Sequence, residues 1–144
     1  MATSWSGVDP STWAESKDKL LTALLRGAVQ DLATVASTTI PNGGRVPVKT
    51  GNLARSVVVD NKPPPIIEGE AKGGGFLNGI AGIKPGEMIY IGWQAAYSRR
   101  MNYGFIGEDS LGRTYNQTGY GFAEAAAAQW PEIVKRQAAK LRGR

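Results

Sequence analysis

The chain has 144 residues, 42% of them hydrophobic, the length and apolar content of one domain able to bury a core. It contains no cysteine and no histidine, which removes disulfides, thiol chemistry, the commonest general base and the commonest metal ligand. Its net charge of +5 comes from Lys135, Arg136, Lys140, Arg142 and Arg144 in the acid-free last ten residues, while the first 134 carry 12 basic and 12 acidic groups.

Residues 1–9 read as an N-terminal arm. They lack the basic and apolar regions of a targeting signal, and no run of about eighteen apolar residues follows, so no membrane partner is expected. Asp9-Pro10-Ser11 is a helix start, with Asp9 or Ser11 as cap and Glu15 and Asp18 near the positive end of the dipole. The helix is expected from about Ser11 to Ser37, with Leu20, Leu21, Leu24, Leu25, Ala28, Val29 and Leu32 as an apolar stripe in need of a sheet. It stops in Ser37–Gly44, where β-branched residues, a proline and two glycines oppose another turn.

The stretch Val46–Asp60 holds a stop, a turn and a strand. Pro47 forbids helix and biases Val46 towards extended backbone, and Gly51 permits an angle that other residues resist. Thr50 or Asn52 is then placed to cap a short turn holding Leu53 and Arg55. Ser56-Val57-Val58-Val59 leaves the turn as a strand, Val57 and Val59 on one face. Asn61–Met88 has four prolines and seven glycines. Within it Ile66–Ala71 is a candidate hairpin partner for Val57–Asp60, and Lys72–Gly86 reads as a long mobile loop. That loop is either solvated or ordered against a neighbouring subunit; Phe76, Leu77, Ile80 and Ile83, which water would not hold cheaply, favour the second.

Met88–Trp93 is the clearest strand, expected to be central, with Ile89, Ile91 and Trp93 on one face. Ala95–Gly104 reads as a two-turn helix with Tyr97, Met101 and Tyr103 inward, Phe105–Tyr120 as a second polar loop. Gly121 opens a last helix, Phe122 to about Leu141, whose inner face runs Phe122, Ala126, Trp130, Ile133, Val134, Ala138, Leu141 and which Pro131 should bend near Gln129. Residues 136–144 lie beyond most of that periodicity and are expected to be dispensable for folding. The order of elements gives a single α+β domain over 1–144: a small antiparallel or mixed sheet of three to four strands, packed by a long N-terminal and a long C-terminal helix, with two long loops. Such a sheet has edges, which an oligomer can satisfy.

Three groups of residues are candidates for contact with partners. The cluster Lys135, Arg136, Lys140, Arg142, Arg144, ending in the basic terminus 142–144, can either bind phosphates or complement a helix C-terminus and keep it soluble. Arg99 and Arg100, beside Tyr97 and Tyr103, have the composition of a subunit contact. Phe76, Leu77, Ile80 and Ile83 of the loop are the third group. Glu68 with Glu70, and Glu108 with Asp109, lie in glycine-rich loops with no base or ligand nearby, and Gly73-Gly74-Gly75 lacks the Lys-Ser/Thr of a phosphate loop. No catalytic, cofactor or metal site is expected, and no enzymatic activity.

Pro47, Thr50, Gly51, Leu53 and Ser56 form a Pro-x-x-Thr-Gly-x-Leu-x-x-Ser pattern leading into a strand. A second strand, an aromatic-rich helix and Gly104 follow, then Phe-x-x-x-Ala at Phe122 and Ala126. In these three motifs, spanning about Val46 to Ile133, the chain resembles the neck or tail-completion proteins of long-tailed bacteriophages, the family that includes minor tail protein Z. Asn102 departs from the glutamate usual there, and the long loops are departures too. The resemblance implies a structural protein of the virion neck, assembled in the host cytoplasm. It would form a homo-oligomeric ring, a hexamer in preference to a dodecamer, between a head-side connector or stopper and a tail terminator or tail tube, with genomic DNA passing through unread. A tail terminator or a head-closure stopper is the rival within that class. A small nucleic-acid-binding module acting through residues 135–144 is the rival outside it.

Overall fold

A computed structural model describes residues 7, 9–48, 51–71, 75–108 and 110–142. Thr50, Asp109, Arg144, the first two glycines of the Gly73–Gly75 run and most of the N-terminal arm lie outside them. Helix α1 spans Pro10–Ser37 and starts as its sequence dictates: the Asp9 carboxylate accepts from the Thr12 amide and the Ser11 hydroxyl, and Pro10 occupies the first turn, where no backbone donor is needed. The Ser11 hydroxyl bond, then the Thr12 amide, hold the Asp9 carboxyl below its ordinary range. After α1 a 3₁₀ turn, Ile40–Asn42, ends on left-handed Gly43, and the chain bridges back through Ile40 N–H to the Val46 carbonyl at 2.9 Å.

Helix α2 is the single turn Asn52–Arg55, entered through Gly51 at φ 80°, and strand β1 is Val57–Asp60. Gly51 itself stands at the helix start with no side-chain cap, and Asn52 is turned to another task described below. β1 pairs antiparallel with Tyr90–Trp93, in register Val57↔Trp93 to Asp60↔Tyr90, and not with Ile66–Ala71. The physical reason is the run Pro63-Pro64-Pro65, too stiff for a tight turn and without backbone donors. Ile67 instead makes a parallel bridge to Ala95, its amide 2.9 Å from the Gln94 carbonyl.

The supposed mobile loop 72–86 contains helix α3, Gly75–Ala81, packed on β1. Ile80 (8% exposed) and Ile83 (4%) are buried in this subunit's own core with Phe76 against them, and only Leu77 of the four faces outward. Positions 76, 80 and 83 are helically spaced, and the glycines among them serve close approach: a β-carbon at Gly79 would run into the Val59 carbonyl.

Strand β2, Tyr90–Trp93, is followed by helix α4, Ser98–Tyr103, then by β3, Gly104–Glu108, and β4, Thr114–Thr118. β3 and β4 form a second antiparallel pair, Gly104↔Thr118 to Glu108↔Thr114, in place of the expected polar loop. The four described strands therefore lie in two separate pairs, and β2 is half of one rather than the centre of a larger sheet. Helices α5, Phe122–Ala128, and α6, Trp130–Arg142, are the expected last helix with its break at Gln129, because Pro131 has no amide to continue the ladder. The molecule is α+β with long helices at both ends of the chain, as its sequence indicates.

The core has two parts. The larger gathers Val29, Ala33 and Ala36 of α1, Val57 and Val59 of β1, Ile80, Ile83 and Ala126, flanked by Ile89, Ile91 and Trp130. The smaller holds Val46, Leu53, Ala95 and Phe122. Trp93 joins them: its ring meets Phe122 edge-on at 4.8 Å and its indole N–H donates to the Ala36 carbonyl at 3.1 Å. α6 runs back antiparallel along α1, where the Gln137 amide donates to Asp31 at 2.7 Å and Leu141 adjoins Leu20 and Ala23. Residues 136–142 thus belong to the fold, contrary to their expected dispensability. The stripe on α1 is covered only from about Leu24 onward; Leu20 and Leu21 are exposed, as is Trp13.

Candidate assembly surface

Gly51 at φ 80° turns the chain so that Pro47, Val48, Gly51 and Leu53 form one wall of an open groove of about 510 Å³. Tyr97 and Met101 of α4 form the facing wall, and Tyr120 closes the end. Its lining is mainly apolar. Two buried asparagines hold the walls in place. Asn52 accepts from the Ala71 amide at 2.5 Å and donates to the Tyr97 hydroxyl at 3.3 Å, linking α2, the segment after the proline run, and α4. Asn102 accepts from the Ala123 amide at 2.8 Å and donates to Glu124 at 3.1 Å. Because Gly121 offers α5 no side-chain cap, Asn102 supplies that cap from a different helix. The Met101 and Asn102 carbonyls accept from the Tyr120 and Gly121 amides at 2.9 and 3.0 Å, which fixes Tyr120 at the groove.

The β3–β4 hairpin rises from the same place. Left-handed Gly104, at φ 87°, ends α4, and on the return strand's exit a β-carbon at Gly119 would collide with the Asn102 carbonyl. Beyond that base the hairpin packs chiefly on itself and on α4, where the Arg100 guanidinium stacks over Phe105 at 4.3 Å. Ile106 on its opposite face is 81% exposed and Leu111 in its turn 75%.

The groove's setting is basic. Between Asp31 and Asp60 the sequence has Arg45, Lys49 and Arg55 but no acid, and between Glu87 and Glu108 it has Arg99 and Arg100 but no acid. The Arg55 guanidinium lies against Gly51 at the groove's rim, and Arg99 and Arg100 are exposed on α4.

Of the sequence-derived candidates, Pro47, Gly51 and Leu53 thus meet around one groove, while Ser56 is buried beneath it, its hydroxyl donating to the Leu53 carbonyl at 2.7 Å. Gly104 ends α4; Phe122 and Ala126 pack inward, one in each core cluster. Ile80 and Ile83 are removed from the interface set by their burial, and Phe76 goes with them. Tyr103, expected inward, is exposed, and Asn102 takes the inward position. Lys135, Arg136, Lys140 and Arg142 are exposed along α6, distant in sequence from the groove, with Lys135 paired to Glu132 at 3.5 Å in a solvent-screened contact of little energy. Sequence reasoning missed Tyr120 and Ile106. Gly119 and Gly121 around Tyr120 were the available signal, since two glycines flanking an aromatic mark backbone held close to something.

Compared with models of protein families, with curated proteins and with solved structures, the chain matches none of them.

Proposed function

We propose that the chain is a structural subunit of a tailed-bacteriophage neck. It forms a homo-oligomeric ring, a hexamer in preference to a dodecamer, that joins the head-side connector or stopper to the tail terminator or tail tube. Genomic DNA passes through without sequence-specific contact, and the protein stays in the virion after assembly in the host cytoplasm. The reading assigns no catalysis. The observation that supports it is one of position: Pro47, Gly51 and Leu53, which carry the resemblance, share an apolar groove with Tyr97 and Tyr120, and a hairpin with exposed apolar residues rises beside it. Apolar surface of this kind, rimmed by charge, is what subunit contacts use.

The test is assembly state. A ring subunit elutes far above 15.3 kDa, or is retained as a multiple of that mass on purified connectors or tail tubes, and negative-stain images show closed rings. A portal gene upstream and a tail-tube gene downstream of its own are the matching genomic expectation. A monomer that binds neither connector nor tube, yet binds DNA with a steep salt dependence, would instead establish the nucleic-acid module.

A further inference from the structure

We infer that the turn of the β3–β4 hairpin of one copy docks in the Pro47–Tyr120 groove of the next copy, so that the ring is closed by repeated hairpin-in-groove contacts; this rests on the ring reading above. An isolated two-stranded hairpin is marginal in water, and this one leaves Ile106 and Leu111 exposed rather than folded onto its own body. Alternation puts Ile106, Glu108, Thr114 and Asn116 on one face, an apolar centre with a polar border. The occupant is indicated by charge. The hairpin turn carries Glu108 and Asp109, whereas the segments that wall the groove carry Arg45, Lys49, Arg55, Arg99 and Arg100 with no acid among them. An acidic turn with a leucine at its tip complements an apolar groove with a basic surround. The contact joins two different patches, so it is heterologous, and a heterologous contact repeated around an axis gives a ring.

The chain has no cysteine, so single thiols can be placed at will. Leu111→Cys and Val48→Cys alter two exposed side chains, 75% and 48% exposed, and each variant should keep the fold. Mixed under oxidising conditions at assembling concentration, the two variants should give a disulfide-linked pair of one of each. A chain carrying both should give a ladder of multimers ending at the ring. Glu108→Arg in the Leu111→Cys chain should lower the yield about fivefold, the size of a rim charge pair, and Arg99→Glu in the Val48→Cys chain should restore part of it. Closed rings without the cross-link would assign the groove to another occupant and overturn the contact while leaving the ring standing. A cross-link formed within one chain also overturns it. Failure to assemble at all overturns both readings.

Discussion

Asn102 shows how one amide holds three segments at once. Its oxygen serves the Ala123 amide, its nitrogen serves Glu124, and its position at the end of α4 ties both to the groove. A glutamate in its place has no proton to give Glu124, which is a physical account of the departure from the resembled family. Asn102→Asp keeps the acceptor for Ala123 but sets two carboxylates within hydrogen-bond reach, so it should cost roughly 1–3 kcal/mol at neutral pH. The cost should shrink as pH falls into the ordinary carboxylate range, about 4, where one of the two takes up a proton. Asn102→Leu leaves the Ala123 amide without its acceptor and should cost a similar amount at every pH. Urea midpoints across pH 4 to 8 separate the two variants, and parallel curves would refute the assignment. Single-residue chemistry of this kind was only half legible. Gly51 announced its backbone angle through its neighbours Pro47 and Leu53, but nothing local to Asn52 or Asn102 told that their partners lie at Ala71, Tyr97 and Ala123.

At the scale of elements, propensity and periodicity located α1, β1, β2, α5 and α6 because each had its own stop, cap or alternation. They failed where glycine density was taken as disorder. In α3 the glycines permit contact: Gly79 brings the helix backbone onto β1, and Phe76, Ile80 and Ile83 then enter the core. The sign of one substitution decides between the two meanings. In a free or solvent-facing helix Gly79→Ala should stabilise by about 1 kcal/mol, since alanine loses less conformational freedom. Against the Val59 carbonyl it should instead destabilise by roughly 1–3 kcal/mol, as overpacking does. We expect destabilisation, with faster amide exchange over 76–83 in the variant than in the parent; a gain in midpoint would return this segment to the surface. The hairpin β3–β4 escaped notice for a related reason. Its strands are polar and glycine-broken, and pairing across a five-residue turn leaves no strong alternation to read.

For the molecule as a whole, charge bookkeeping gave a neutral body and a basic end, yet it also suggested that the end was separable, and packing contradicts that. α6 carries two kinds of residue on two faces. Gln137 bonds Asp31 and Leu141 meets α1, whereas Lys135, Arg136, Lys140 and Arg142 face water. Truncation after Lys135 therefore confuses packing with charge. It removes a hydrogen bond to a carboxylate and a half-buried leucine, and should cost roughly 2–4 kcal/mol. Replacing the four cations by glutamine removes no such contact and should change stability by less than about 0.5 kcal/mol, apart from a small loss of favourable charge at the helix C-terminus. The glutamine variant is then the proper probe of what the basic end does. A ring that holds passing DNA by its α6 ends should lose salt-dependent DNA retention in this variant while keeping its size, with the logarithmic salt slope shallower by about one for each phosphate contact removed. Unchanged retention, with the ring intact, would leave these cations as a solubilising end to the helix, and equal destabilisation by truncation and by glutamine would refute the division of α6 into a packed face and a charged one.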